Sequence, residues 1–350
     1  MNPHFMQCLK EEINMENKEI YSLLKNVPII YDPEIIFKNY QSIFYYQPKI
    51  KKFDYIAAFD LDWTLSYNEK HLFPKDPEDI KILPNRRRIL EDIVKLGYTL
   101  VIFTNQYSKS KSEKLKKVER VSNFMKELKL PVNVYIATEK DEYRKPEIGM
   151  WNFFVNNLKT ENNIKEIKKV IFVGDALGRP QDFSDSDRKF AENFDIIDTK
   201  IYTPEDFFGS NKNSKPLFIL KDKKELIIFV GMPGCGKSTY YSGHLSGYIH
   251  LEQDKIGNRN KLVKEFHKSL KTGLSIVIDS TNPSQEIREE YYKEAQKYNY
   301  NIKVLYFTVD GHGYNKLREK PVPDVVYHIY FKKLVPPTEE NTPGEVIHIF

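Results

Sequence analysis

The chain has 350 residues, a formal net charge of +5 and 29% charged residues. Its length predicts two domains, each able to bury its own core, and its mild positive charge permits an acidic partner such as nucleic acid. The sequence contains no apolar run that would span a membrane, and its N-terminus lacks the order of a signal peptide. With Cys8 and Cys235 as the only cysteines, we expect no disulfide framework and a reducing, intracellular location.

The N-terminal half predicts an α/β domain over residues 54–208. Residues 1–53 precede it as a polar and aromatic leader, with one short helix predicted near Leu9–Leu24. Short apolar runs then alternate with helical stretches, a pattern typical of a doubly wound parallel sheet with helices on both faces. The predicted strands are Tyr55–Phe59, Thr99–Phe103, Val132–Ala137 and Val170–Gly174, and the clearest helices are Arg87–Leu96 and Lys114–Leu128.

The C-terminal half predicts a second α/β domain over residues 225–350, after a polar linker at 209–224. The linker is rich in Gly, Ser, Asn and Lys. Strands are predicted at Leu226–Val230, Ser275–Ile278 and Ile302–Thr308. We expect the polar tail after Pro336 to close this domain.

A first phosphate site is predicted where the first strand ends, in the segment FDLDWT at Phe59–Thr64. Asp60 and Asp62 are two residues apart and therefore lie on one face of the strand end. A carboxylate nucleophile and a second carboxyl that handles a proton are what an acyl-phosphate mechanism requires. Thr64 is a candidate hydrogen-bond donor to the phosphate.

Later residues strengthen this prediction. Thr104 and Asn105 end the second strand, where a hydroxyl and backbone N–H groups can cradle a phosphate. Lys145 can neutralise phosphate charge, and Asp175 can complete a Mg²⁺ site with Asp60 and Asp62, since Mg²⁺ prefers a few carboxylates. Polar residues at the carboxyl ends of parallel strands are where such sheets bind ligands.

A second phosphate site is predicted at GMPGCGKST, residues Gly231–Thr239, which follows a strand and matches the P-loop pattern. Gly231, Gly234 and Gly236 let backbone N–H groups point at phosphate oxygens, and the following helix adds its N-terminal dipole. Lys237 would reach the terminal phosphates, while Ser238 would bind Mg²⁺ and Thr239 completes the loop. ATP and Mg²⁺ are the cofactors that this motif predicts.

Phosphorylation of a hydroxyl also needs a base or positioning group. Asp254, in the segment HLEQD, is the first candidate for that base, although a helix-capping Asp would have the same pattern. Asp279 ends a predicted strand and is the next candidate. Arg318 is either a lid residue over the triphosphate or a surface arginine.

The ordered acids, threonine and lysine resemble the haloacid-dehalogenase superfamily over residues 54–208. The two halves together resemble the polynucleotide kinase 3′-phosphatase family over about residues 54–335. The family segments are TNQ from Thr104, YRKP from Tyr143, VGDALGRP from Val173 and IDSTNP from Ile278. The resemblance implies that Asp60 is the phosphatase nucleophile, Asp62 its acid–base and Asp254 the kinase base.

The chain departs from these patterns at three places. Trp63 stands where the superfamily usually has Gly, so either the turn does not need a glycine conformation or the position of Asp62 is altered. Gln253 stands where the family typically has Arg, which removes one contact to the strand or nucleotide. The leader is too short for the phosphopeptide-binding domain of the animal enzymes, so the resemblance implies no phosphopeptide scaffold.

Nucleic-acid ends, DNA rather than RNA, are the expected substrates of a monomer located in a nucleus or, for a viral protein, the host-cell cytoplasm. Basic residues in the first domain would either track a phosphate backbone or form a solvated helix face: Arg86, Arg87, Arg88, Lys109, Lys111, Lys114, Lys116 and Lys117. Two alternatives stay open. The first is a fusion of a phosphatase and a kinase that act on small metabolites, and the second is a nucleic-acid-binding protein with a decayed phosphatase site.

Overall fold

A computed structural model describes residues 34–48, 54–68, 76–162, 166–180, 182–209, 224–309, 311–318 and 320–349. These residues form two compact units, the first ending at residue 209 and the second beginning at residue 224. The helix predicted at Leu9–Leu24 and most of the predicted linker lie outside the described residues.

The first unit is built on a seven-stranded sheet in the order β1-β2-β7-β6-β3-β8-β9, and β4 and β5 form a separate antiparallel pair. The strands are β1 Lys38–Tyr40, β2 Ile43–Tyr46, β3 Tyr55–Phe59, β4 Ser66–Tyr67, β5 Lys81–Ile82, β6 Tyr98–Asn105, β7 Val132–Ala137, β8 Lys169–Val173 and β9 Thr199–Tyr202. The helices are α1 Arg86–Lys95, α2 Lys111–Leu128, α3 Gly149–Asn162, α4 Ser186–Glu192 and α5 Pro204–Phe208.

Strands β7, β6, β3, β8 and β9 are parallel. The first four are buried on both faces, whereas β9, at the edge of the sheet, is half-buried. Successive side chains of a strand point to opposite faces, so Phe59 and Ala58 enter different cores. Helices α1 and α2 cover the face of Phe59, whereas α3 and α4 cover the face of Ala58. This arrangement confirms the predicted doubly wound α/β fold.

The sheet begins upstream of residue 54, in what the sequence indicated to be a leader. Strands β1 and β2 form a hairpin, and β2 pairs antiparallel with β7 from Ile43 opposite Ala137 to Tyr46 opposite Val134. Ring stacking between Tyr40 and Phe153, with centroids 4.8 Å apart, attaches the hairpin to α3. The aromatic residues of the leader therefore form an antiparallel edge on the otherwise parallel sheet.

The second unit is a parallel five-stranded sheet in the order β11-β12-β10-β13-β14. Its strands are β10 Glu225–Val230, β11 Ile249–Glu252, β12 Ile276–Asp279, β13 Asn301–Phe307 and β14 Glu345–Ile349. Its helices are α6 Lys237–His244, α7 Gln253–Ile256, α8 Arg259–Leu270, α9 Gln285–Lys297, α10 His312–Asn315 and α11 Asp324–Lys333. Across the described ranges of both units, no helix combines the length and the apolar character needed to cross a bilayer.

Candidate active sites

The predicted residues of the first site meet at one edge of the sheet. Asp60 follows β3 directly, Thr104 and Asn105 end β6, and Asp175 follows β8 after one glycine. Because β6, β3 and β8 are parallel neighbours, their carboxyl ends lie side by side. The spacing that suggested a phosphate site in the sequence thus brings these side chains to a common edge.

Lys145 is the centre of the first site. Its Nζ lies 2.5 Å from Asp60 Oδ1 and 2.6 Å from Asp187 Oδ1, and the residue is only 3% exposed. Asn105 holds the backbone of Lys145 from both sides, donating to its carbonyl and accepting from its N–H at 3.0 Å each. Asn105, predicted to bind phosphate, therefore positions the lysine with its side chain.

Asp187 is a site residue that sequence reasoning missed. Its Oδ2 accepts from the backbone N–H of Ala176 at 3.2 Å, so the carboxylate bridges Lys145 and the loop after β8. Gly174 makes room for it, because a Cβ there would lie 2.4 Å from that oxygen. In the sequence, Asp187 lies downstream of the segment VGDALGRP that resembles the family, and it was not singled out there.

Carboxylate oxygens of Asp60, Asp175 and Asp187 lie within 4.8 Å of one another. Burial, together with the neighbouring acids, raises the pKa of Asp60 to about 7 although Lys145 opposes the rise, and the same causes raise the pKa of Asp175. Burial tends to lower the pKa of Lys145, but Asp187 and Asp60 outweigh it and raise that pKa. Three crowded acids around one cation fit a site for a hard divalent cation such as Mg²⁺.

Asp62 lies apart from this carboxylate cluster. Its Oδ1 accepts from Arg120 Nη2 at 2.6 Å and its Oδ2 accepts from Gln106 Nε2 at 2.7 Å. Burial would raise the pKa of Asp62, but Arg120, Gln106 and Lys117 together lower it. The carboxylate predicted as a metal ligand is therefore paired with an arginine, which leaves Asp62 suited to acid–base work only.

Arg120 is the second residue that sequence reasoning missed. It lies in the middle of α2 at 1% exposure, and its Nη2 also donates to Asn68 Oδ1 at 2.5 Å. The sequence around it, KKVERV, is typical of an amphipathic surface helix and gave no signal for a buried cation. Only the tertiary structure brings Arg120 to Asp62, 58 residues away in sequence.

The two predicted phosphate-binding threonines are buried in the same region. Thr64 Oγ1 donates to Asp175 Oδ1 at 3.4 Å, and Thr104 Oγ1 accepts from Gln106 Nε2 at 2.9 Å. Gln106 thereby joins the threonine at the end of β6 to Asp62. The hydroxyls orient the acids of the site.

Trp63 does adopt the conformation that a glycine would use. Its φ is +60°, in the left-handed region, and its N–H donates to the carbonyl of Ser66 at 2.8 Å. Such backbone strain in a non-glycine residue costs about 1–3 kcal/mol. The alternative in which the turn needs no glycine conformation is therefore wrong, because Trp63 itself lies in the left-handed region.

Not all of the predicted basic cluster faces solvent. Arg86 is buried, donates from Nε to the carbonyl of Thr64 at 3.0 Å and stacks on the ring of Phe208 at 4.2 Å. It supports the turn of the first site, whereas Arg87 and Arg88 are exposed. Arg86 therefore belongs neither to a surface that tracks a phosphate backbone nor to a solvated helix face, the two alternatives that the sequence left open for the basic cluster.

The second site is a P-loop between β10 and α6. Gly234 and Gly236 have φ values of +81° and +88°, and a Cβ on Gly234 would lie 2.2 Å from the carbonyl oxygen of Gly311. Lys237 Nζ donates to the carbonyls of Gly231 and Met232 at 3.0 and 2.8 Å. The glycines therefore permit both the tight turn and its close packing against the segment before α10.

Ser238, at the start of α6, is joined to the end of β12. Its hydroxyl donates to Asp279 Oδ2 at 2.8 Å, and His250 Nε2 lies 2.9 Å from the same oxygen. A serine hydroxyl and a strand-end carboxylate are the donors with which a P-loop holds Mg²⁺. Asp279, the second candidate for the base, is thus hydrogen-bonded to Ser238, and the two groups together suit a divalent cation better than they suit a base.

Asp254 and Arg318 lie together on the cleft that the P-loop lines, which has a volume of about 900 Å³. Arg318 Nη2 is 3.2 Å from Asp254 Oδ2, and the Asp254 side chain is 75% exposed. The N-cap of α7 is Glu252, so Asp254 is not the N-cap residue of this helix. The structure thereby favours Asp254 as a residue that lines the cleft over Asp254 as a helix cap.

A known family model matches each half of the chain. The family model described as polynucleotide kinase 3 phosphatase matches residues 55–208, and the model described as AAA domain matches residues 226–316. These ranges contain all of the residues placed above in the first site and the P-loop of the second.

Relatives match across most of the chain. A protein of Acanthamoeba polyphaga mimivirus, named as a putative bifunctional polynucleotide phosphatase/kinase, is 31% identical over 84% of this chain and 84% of its own length. A bifunctional polynucleotide phosphatase/kinase of Schizosaccharomyces pombe is 30% identical over 84% of this chain and 79% of its own. A polynucleotide 3′-phosphatase of Arabidopsis thaliana is 33% identical over 45% of this chain and 24% of its own.

Proposed function

The chain belongs to the bifunctional polynucleotide phosphatase/kinase family, and from that premise we propose that it heals broken strands by removing a 3′-phosphate and phosphorylating a 5′-hydroxyl with ATP. The observation that carries the proposal is that each unit contains a side-chain arrangement suited to phosphate chemistry. Asp60, Lys145 and Asp187 form the first, and Gly231–Thr239 with Asp279 forms the second.

In the phosphatase, Asp60 attacks the phosphorus of the 3′-phosphate and forms an aspartyl phosphate as the bond to the 3′-oxygen breaks. Asp62 gives that oxygen its proton, since the charge of the incoming phosphate raises the proton affinity of a neighbouring carboxylate. Asp62 then takes a proton from the water that hydrolyses the intermediate. Thr64 and Thr104 orient the acids, and Lys145 neutralises the phosphate charge.

Mg²⁺, held by Asp60 and Asp175, would supply further neutralisation of phosphate charge. Asp187 keeps Lys145 beside Asp60, at 2.6 Å from the ammonium group. Burial and the neighbouring acids raise the pKa of Asp60 to about 7 even though Lys145 opposes the rise, and a bound Mg²⁺ would lower that pKa and favour the ionised form that attacks.

In the kinase, backbone N–H groups of the P-loop and Lys237 hold the phosphates of ATP, while Ser238 and Asp279 would hold Mg²⁺. Asp254 takes the proton of the 5′-hydroxyl as the hydroxyl oxygen attacks the terminal phosphorus of ATP, and ADP leaves as the bond to the bridging oxygen breaks. Arg318 leaves Asp254 for the triphosphate, which frees the base for the acceptor. Arg318 lies 3.2 Å from Asp254 and lines the same cleft as the P-loop, so a triphosphate held by the P-loop would lie close to it.

The finer assignments belong to the same proposal: DNA ends rather than RNA ends, a monomer, and a nucleus or host-cell cytoplasm as the location. The metabolite alternative has no support in the full-length relatives, whose names specify polynucleotides. A decayed phosphatase site is not supported either, because Asp60, Asp62, Lys145 and Asp175 all keep partners suited to catalysis.

One assay tests the proposal. A nicked duplex with a 3′-phosphate and a 5′-hydroxyl is incubated with the protein, ATP and Mg²⁺, in matched DNA and RNA forms. We expect both ends to be converted, faster on DNA, with an affinity that falls as salt rises. Equal activity on a sugar phosphate and a nucleoside, with no salt dependence, would contradict it.

A further inference from the structure

The second unit contains an imidazole between two carboxylates, next to the P-loop. The ring of His250 has its Nε2 2.9 Å from Asp279 Oδ2 and its Nδ1 3.7 Å from Glu252 Oε2. Because the carboxylate only accepts, the ring nitrogen is the donor to Asp279. The proposed kinase mechanism does not use this histidine.

The position of His250 is fixed independently of its two acids. Its ring stacks on Tyr241, with centroids 3.6 Å apart and planes inclined by 9°, and Tyr241 in turn donates from its hydroxyl to the carbonyl of Tyr248 at 2.9 Å. His250 lies on β11 and Asp279 ends the neighbouring strand β12. Because His250 is part of β11 and its ring stacks on Tyr241 of α6, its N–H approaches Asp279 from a defined direction.

Asp279 Oδ2 accepts from both His250 and Ser238, at 2.9 and 2.8 Å. Two donors that approach from different elements fix the plane of a carboxylate. The side chain of Asp279 is 3% exposed, so water does not compete for this arrangement. When Ser238 turns its oxygen towards a cation, His250 is the remaining donor to Asp279.

We infer that His250 is a positioning residue of the kinase, one that orients Asp279 for the divalent cation that accompanies ATP. The inference rests on the proposed function of the P-loop site. Hydrogen bonds from outer residues to ligating carboxylates fix ligand orientation, and their loss typically costs about 10–100-fold in metal affinity or activity.

Two substitutions separate the hydrogen bond from the stack. His250→Phe keeps a ring on Tyr241 and removes the donor to Asp279, whereas His250→Gln removes the ring and keeps an N–H donor. We expect His250→Phe to raise the Mg²⁺ concentration for half-maximal kinase activity by about 10-fold or more, and His250→Gln to restore much of the loss. Replacing His267, an exposed histidine beside Glu294, by Gln is the matched control.

A binding measurement gives a readout besides turnover. Mn²⁺ binding is followed by electron paramagnetic resonance on the full chain with a non-hydrolysable ATP analogue. An Asp175→Asn background weakens the other cation site. His250→Phe should bind the nucleotide-dependent Mn²⁺ about 10-fold more weakly, with 3′-phosphatase activity unchanged when Asp175 is present.

Wild-type affinity for Mn²⁺ and a wild-type Mg²⁺ dependence in His250→Phe would overturn the inference. A loss in His250→Gln that His250→Phe does not share would assign the histidine to packing on Tyr241 and overturn it as well. If the parent chain shows no kinase activity at all, the proposed function fails instead, and the two failures are thereby distinguished.

Discussion

The two acids of the segment FDLDWT have different partners, and the partners separate their chemistry. Asp60 accepts a hydrogen bond from Lys145 within the carboxylate cluster, whereas Asp62 accepts hydrogen bonds from Arg120 and Gln106. The first environment suits a nucleophile and a cation, and the second holds an acid–base group in place.

Asp60→Asn is expected to abolish the phosphatase and to leave the kinase intact, because an amide cannot form an acyl phosphate. Loss of a catalytic nucleophile costs about 10⁴-fold or more in rate. Release of phosphate from a 3′-phosphorylated oligonucleotide measures the loss, and transfer of labelled phosphate to a 5′-hydroxyl by the same preparation is the control. Substantial phosphatase turnover in this variant would exclude the covalent mechanism.

Arg120→Met is expected to lower the free energy of unfolding by an amount that depends on pH. Burial alone would raise the pKa of Asp62, but Arg120 and its other partners hold it below the ordinary value of 3.8. The pair therefore stabilises the fold above that pH, and the stabilisation is lost as the pH falls through the lowered pKa. We expect a loss on the order of 2 kcal/mol at pH 7 that shrinks below about pH 4.

Urea unfolding of both proteins between pH 3 and pH 7 measures this effect, and Arg120→Lys keeps the charge as a comparison. A difference in unfolding free energy that stays constant over the range would show that Arg120 contributes by packing rather than through Asp62. Phosphatase activity should fall in Arg120→Met at every pH, since Asp62 loses its orienting partner.

Residues at strand ends could be predicted from the sequence, and residues that meet them from elsewhere could not. Asp60, Thr104 and Asp175 follow apolar runs, so their place in a parallel sheet follows from the fold class. Arg120 and Asp187 lie on helices whose local patterns are ordinary. Their function depends on which helix packs over which strand end, and that is decided by tertiary contacts over long sequence separations.

Among the elements, the buried central strands were predicted closely and the edge strands were missed. Tyr55–Phe59 and Val132–Ala137 have the predicted bounds, because continuous apolar runs identify strands that are covered on both faces. No strands were predicted for the hairpin β1–β2, which lies in the predicted leader, or for β14, which lies in the predicted tail. Edge strands carry mixed polar and aromatic residues, and their pairing is decided by the neighbouring strand.

At the end of β8, Gly174→Ala is expected to lower phosphatase activity by at least about 10-fold, since the added Cβ would lie 2.4 Å from Asp187 Oδ2. Asp187 must move and Lys145 with it. Gly243→Ala in α6 is the control, because nothing lies within 4 Å of its Cβ position. Phosphatase assays on both variants test this, and a Gly174→Ala chain with parental activity would show that Asp187 is not needed where it lies.

For the molecule as a whole, the full-length relatives confirm the family that the motifs predicted. Each compact unit contains one of the two candidate phosphate sites. Lys237→Ala should therefore remove the kinase, by about 10²–10³-fold or more, and spare the phosphatase. Both activities are measured on one nicked substrate, with circular dichroism as the check on folding. Parallel loss of both activities in a folded protein would contradict two independent sites.

The position of β14 gives the two activities unequal sensitivity to premature stop codons. The phosphatase sheet is complete at Tyr202, whereas the kinase sheet needs Glu345–Ile349, whose last residue borders the ATP cleft and accepts from the N–H of Thr308 at 2.9 Å. A stop codon after Thr342 should leave a phosphatase without a kinase, as assays of both ends would reveal. Truncation before β14 thus converts the bifunctional enzyme into one that keeps the phosphatase alone.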